Sequence, residues 1–299
     1  MVKTFSKNER KISEVLSPGT TFLYKKERYT VTLVAKPYVN KGECKTDIFL
    51  EAQKQNGEKK EFKISYKQEN AQFIENKVQA DRAEALLGSE WKSIITKGTL
   101  SLKDKFEQRP IIFKSGKQNG SITLGWKYEL LDSKSGDLSS KLSLTEEQVK
   151  KIYSGDNLPQ DKKDATVKLS KDNKKVIKDS GIANFMLRTD DLSNAQNIIS
   201  SLQTIDEYVK LHPDVYFACK ALNYQSFKNK FDGDRALSVL INWHDKDNQL
   251  VPEFVYDNPL VRKGKEMADE LIITMQKLGI ENTNDITINY EYSVNQKKE

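Results

Sequence analysis

Apolar and polar positions alternate most regularly between residues 42 and 68, GECKTDIFLEAQKQNGEKKEFKISYKQ. The pattern predicts a strand over 47–52, a second over 61–65, and a polar turn at Asn56-Gly57, two residues that tolerate positive φ. Strand side chains alternate with period two, so Glu61 and Lys63 share one face while Phe62 and Ile64 take the other. Upstream, residues 3–16 carry Phe5, Ile12, Val15 and Leu16 at helical spacing, and strands are expected over 20–24 and 29–36, the latter ended by Pro37. Downstream, residues 70–87 read as a helix capped by Gly88. Strands are expected over 111–114, 122–131, 236–243 and 286–292. Helices are expected over 144–153, through most of 192–211, and over 264–278 with Gly279 as cap. Strands interleaved with helices give an α/β (α+β) chain.

Length and composition narrow this picture. At 299 residues the chain holds one large domain or two moderate ones. The chain is expected to divide into 1–95 and an α+β region 96–299 that is either separate or continuous with the first, with the loop near 132–142 and the region 154–180 as the plausible seams. Two cysteines and two histidines make neither a disulfide framework nor a zinc set. With no apolar stretch of bilayer length and no apolar leader after the N-terminal methionine, a reducing cytoplasm is the expected compartment and no membrane partner is expected. The net charge of +6, from 49 basic and 43 acidic side chains, permits a polyanionic partner without requiring one. Much of the basic excess sits in 154–180, where Lys162, Lys163, Lys168, Lys171, Lys174, Lys175 and Lys178 fall in predicted loops and short hairpins. Such a run reads first as solvated surface, with phosphate contact as the alternative. Trp91, Trp126 and Trp243 read as core rather than base-stacking platforms. No phosphate-binding GxxxxGK[ST] loop is present.

The chemistry suggested by the hairpin is phosphodiester hydrolysis. Mg²⁺ takes hard oxygen ligands and keeps several waters, so one or two carboxylates suffice to hold it. Bound there, it acts as a Lewis acid and acidifies water. Asp47 and Glu61 are the expected ligands, with the backbone carbonyl of Phe62 as a third. Mn²⁺ is the expected substitute, and Lys63 would orient water or offset negative charge. Lys45, Lys67, Gln68, Asn70 and Gln72 flank this site, the last four at an expected strand-to-helix junction where anions are favoured. Arg235 is a further expected DNA contact, and Arg188 is among the candidate base readers.

KTDIFLEA and EFKISYK resemble the two catalytic motifs of the PD-(D/E)XK nuclease superfamily, the fold of many type II restriction endonucleases, with Thr46 where the family's proline would stand. The resemblance covers about residues 1–90. It implies a restriction-endonuclease-like central mixed sheet flanked by helices, with a C-terminal α+β extension carrying recognition and dimerisation elements. It also implies Asp47, Glu61 and Lys63 as catalytic residues. An acid of the first helix would join the metal site, with Glu14 the first candidate and Glu9 the second. The implied function is Mg²⁺-dependent, sequence-specific cleavage of double-stranded DNA by a homodimer, with a cognate DNA methyltransferase encoded nearby. The alternatives are a phage, mobile-element or repair nuclease or nickase of the same fold, and a protein that binds nucleic acid without cutting it.

Overall fold

A computed structural model describes residues 6–40, 42–76, 78–169, 173–287, 294 and 295. It is a mixed α/β protein whose chain divides into two compact units. The first comprises residues 1–72, 85–87 and 144–213; the second comprises 73–84, 88–143 and 214–299. The first unit is therefore discontinuous, and residues 144–213 join the N-terminal segment across the expected division at residue 95. Among the described residues no helix is long and apolar enough to cross a membrane. Lys171 and most of the expected strand 286–292 lie outside the described residues.

The first unit opens with helix α1 (Lys7–Val15). Ser6 and Glu9 form a capping box at its start, each satisfying a backbone N–H that the helix leaves open. Strands β1 (Thr21–Tyr24), β2 (Glu27–Ala35), β3 (Ile48–Lys54) and β4 (Lys59–Lys67) then run antiparallel in sequence. The β3–β4 turn is longer than a two-residue loop. Only Gly57 takes positive φ, at +90°, while the Asn56 side chain accepts from the Glu58 N–H at 3.0 Å. Strand Phe185–Arg188 lies parallel to β4, and Leu202–Thr204 closes the sheet antiparallel to it. One face of this six-stranded mixed sheet carries Ile48, Leu50, Phe62, Ile64, Phe185 and Leu187, which bury Ile12 and Leu16 from the first helix. Phe62 is the aromatic centre of that core, edge-on to Phe22 and Tyr24 and stacked on Phe185 at 5.3 Å. The opposite face holds a smaller cluster of Ala35, Phe49 and Val167.

The second unit is built on Ser121–Leu131, a strand with nearly every side chain buried. Strands Tyr216–Gln225 and Val239–Lys246 pair with it antiparallel, and Gln249–Val255 extends the sheet. Helix Gly264–Lys277 buries Met267, Ala268, Leu271 and Met275 along one stripe, as its spacing predicts. All three tryptophans are buried.

Two expected helices are corrected. Residues 70–87 do not form one helix: Phe73–Glu75 is a strand, with Phe73 opposite Leu131, and the helix occupies only Ala80–Leu87. Pairing with a long buried strand outweighs the local helical spacing. Residues 192–211 split into helices Ala195–Ser200 and Ile205–Leu211, because Leu202–Thr204 between them pairs with 185–188.

Candidate active site

The register of the hairpin decides which side chains can meet. Ile48 stands opposite Ile64, Phe49 opposite Lys63, Leu50 opposite Phe62 and Glu51 opposite Glu61. Asp47, one residue before Ile48, is thus level with Ser65. Four residues of strand separate that level from Glu61, roughly 13 Å at about 3.3 Å per residue. A Mg²⁺ ion binds its oxygens at about 2.1 Å, so Asp47 and Glu61 cannot share one. Phe62, opposite Leu50, is nearly as remote, and its carbonyl cannot complete an Asp47 site. The literal ExK motif therefore lies four residues too early on β4 to face Asp47.

Glu61 and Lys63 have other surroundings. Glu61 stands beside Glu51, whose carboxylate accepts from Lys59 Nζ at 2.9 Å and Thr32 Oγ1 at 2.6 Å. Lys63 Nζ donates to the Asp179 carbonyl at 3.0 Å. Asn184 locks this stretch of β4 to the next strand. Its Oδ1 accepts from the Lys63 N–H at 2.7 Å and its Nδ2 donates to the Glu61 carbonyl at 3.2 Å, while its own N–H donates to the Lys63 carbonyl. Lys63 and Asn184 together fix the edge where strand 185–188 begins.

A different group assembles at the other end of the hairpin. Asp47 Oδ2 accepts from the Tyr66 N–H at 2.9 Å, with Ser65 Oγ at 3.5 Å. Tyr66 Oη accepts from Asn8 Nδ2 at 3.2 Å and donates to the Thr189 carbonyl, which ties α1 to the end of β4. On the first turn of that helix Glu9 pairs with Lys36, at the end of β2. Of the two α1 acids singled out by resemblance, Glu14 is exposed and Glu9 is the one whose charge acts on Asp47. Lys67 lies two residues beyond Ser65 with its ammonium 5.7 Å from the centre of the Tyr153 ring. Strand alternation puts it on the same face as Ser65.

Asp47 is half-buried, and crowding by surrounding protein disfavours its charged form. Burial pushes the carboxyl up to about 6, aided by the negative charge of Glu9; the Tyr66 N–H bond, Lys36 and Lys45 pull the other way. A carboxyl that titrates near neutrality beside a second carboxylate marks a place where added positive charge is favourable. Among the described residues no three His, Cys, Asp or Glu side chains cluster as a metal cage. Two carboxylates nonetheless match the sparse protein coordination of Mg²⁺, which keeps waters and takes substrate phosphate as a ligand.

The loop before Asp47 is pinned by backbone contacts. The N–H groups of Lys45 and Thr46 both donate to the Gly181 carbonyl, at 2.9 and 3.2 Å. Lys45 is buried rather than presented to solvent, and its stem passes over Gly155 where a Cβ would stand only 2.6 Å from Lys45 Cγ. Lys45 therefore contributes charge to the Asp47 site from inside the protein and is not a surface phosphate contact.

Gln68, Asn70 and Gln72 are exposed, but no helix begins there, so the expected helix-terminus anion site is not formed. Arg188 does not face a base-reading surface: its Nε and Nη2 donate to the Glu69 carbonyl at 3.1 and 2.8 Å, and Nη1 donates to Tyr208 Oη. Arg235 belongs to the second unit, where its N–H closes a turn on the Gly233 carbonyl. The register, not the motif, decides what meets Asp47: it places Ser65 opposite and Glu61 four residues away. No family model, no curated protein and no solved structure matches this chain.

Proposed function

We propose that the chain is a divalent-metal-dependent phosphodiesterase acting on double-stranded DNA, with its site at the start of β3. The observation that carries this reading is the Asp47 carboxylate at the start of β3, held by the Tyr66 N–H at 2.9 Å and pushed up to about 6 by burial, with the charges of Glu9, Lys36 and Lys45 acting on it. Asp47 and Glu9 would hold the ion, which supplies Lewis-acid charge and acidified water. Lys36 and Lys45, the cations whose charge acts on Asp47, would offset charge on the phosphate, the role first expected of Lys63, whereas the Lys67 ammonium is buried against the Tyr153 ring. Tyr66 holds Asp47 through its backbone N–H, and Lys36 holds Glu9. The mixed sheet, in which β4 pairs antiparallel with β3 and parallel with 185–188, supports a restriction-endonuclease-like fold. A two-fold dimer would supply one site per strand.

Plasmid digestion in Mg²⁺ and in EDTA tests this reading. The wild type should cut only with metal. Glu9→Gln should lower the rate by at least about 100-fold, comparable to losing one transition-state contact, while Glu61→Gln should stay within about threefold of wild type. Full activity in the Glu9→Gln protein, or collapse of activity in Glu61→Gln with the fold intact, would move the site back to the literal motif. Sequencing the ends distinguishes a sequence-specific enzyme from a nonspecific one.

A further inference from the structure

The hairpin Thr166–Lys168/Lys174–Val176 lies in the same unit as Asp47 and is unusual in its charge. Its register sets Lys174 opposite Lys168, Lys175 opposite Val167 and Val176 opposite Thr166. Directly opposed residues project to the same side at about 5 Å, and like charges so placed repel. Val167 is fully buried against Ala35 and Phe49, so Lys168 and Lys174, one position along, project away from the protein. Lys168 and Lys174 are both exposed, and among the described residues neither makes an ion pair; Lys175, opposite Val167, lies on the other side of the ribbon. Lysines elsewhere on the surface do: Lys150, Lys151 and Lys265 each meet an acid one helical turn away. Folding alone gains nothing from two facing ammoniums without a counter-charge. A polyanion removes the repulsion and releases its own condensed counterions on binding. A two-stranded ribbon of this kind also fits the roughly 12 Å major groove of B-form DNA.

We propose that this lysine hairpin is a contact for the phosphodiester backbone of duplex DNA, a second anchor on the substrate of the Asp47 site. The inference rests on the nuclease reading above, and its test separates the two. Binding of a short duplex is followed by fluorescence anisotropy with the whole chain in EDTA, between about 50 and 200 mM salt. The Lys168→Gln/Lys174→Gln protein should bind at least tenfold more weakly at the upper salt. Its log–log salt slope should be shallower by roughly 2, at about 0.9 per lost phosphate contact. The corresponding double arginine variant should restore the wild-type slope and affinity. An unchanged slope in the glutamine variant would overturn the proposal, including the case in which that variant only aggregates, which would assign the lysines to protecting a strand edge. Cleavage by the wild type in Mg²⁺ is scored in parallel. Cutting with an unchanged slope defeats the hairpin alone; a flattened slope without cutting defeats the nuclease reading and leaves the DNA contact standing.

Discussion

Replacing Asp47 with Asn should make the protein more stable at pH 7.5 while abolishing metal-dependent cleavage. The folded-state carboxyl titrates at about 6 against an ordinary value of 3.8. Between those values the folded protein binds more protons than the unfolded chain, so stability falls as pH rises through the window. Below it Asp47 is neutral in both states and contributes no penalty; above it the full cost of the half-buried charge is present, on the order of 2 to 3 kcal/mol. Asn keeps an oxygen that can accept the Tyr66 N–H and carries no charge. Asp47→Asn should therefore raise Tm by roughly 4–12 °C at pH 7.5, at about 2–4 °C per kcal/mol, with the gain vanishing near pH 4. Mg²⁺ should stabilise the wild type, by about 2.7 kcal/mol at a hundredfold excess over Kd, and leave Asp47→Asn unmoved. A variant less stable than wild type at pH 7.5 would mean that the carboxylate is a net structural asset, and the electrostatic case for a metal at this position would fail.

That trade of stability against charge is invisible in the order of residues, although much around it is legible. The alternation through 47–65 predicts the hairpin, and the observed strands extend it by two residues at the first strand's end and by two at each end of the second. Helix α1, both early strands and helix 264–277 lie where spacing and caps place them. What local pattern misleads on is long-range pairing. Phe73 looks helical until the strand 121–131 is available to pair with it. Phe185–Arg188 is four residues long and has no pattern of its own, yet it completes the sheet beside β4 and brings Asn184 onto Lys63. The proposed site departs from the motif for a related reason. Glu61-Phe62-Lys63 matches a motif by identity, whereas an ion senses distance, and distance is set by register. Glu9 comes near enough for its charge to act on Asp47 because α1 packs Ile12 and Leu16 onto the same sheet face as Ile48 and Ile64. No sequence spacing between residue 9 and residue 47 encodes that.

A glycine remote from the chemistry in sequence should be as sensitive as any ligand. Gly181→Ala places a Cβ 2.0 Å from the Lys162 carbonyl oxygen and 2.9 Å from Cys44 Cβ. The first of these is backbone, which cannot swing aside, and the second lies on the loop leading to Asp47. The same residue donates its N–H to the Lys163 carbonyl at 2.7 Å and accepts from both Lys45 and Thr46, so relief of the clash must displace the segment that aims Asp47. Overpacking a tight site costs typically about 1–3 kcal/mol, and a rigid backbone neighbour puts this substitution at the upper end. The expected result is a Tm lowered by roughly 6–12 °C together with loss of cleavage and of Mg²⁺-induced stabilisation, although no ligand has been altered. Gly19→Ala is the contrasting variant, since nothing lies within 4 Å of a Cβ there and only its φ of +92° is strained; it should lose stability without losing the metal response. If Gly181→Ala bound Mg²⁺ and cut DNA as the wild type does, the 181 carbonyl would not be what sets Asp47, and the loop would owe its position to the Tyr66 bond alone.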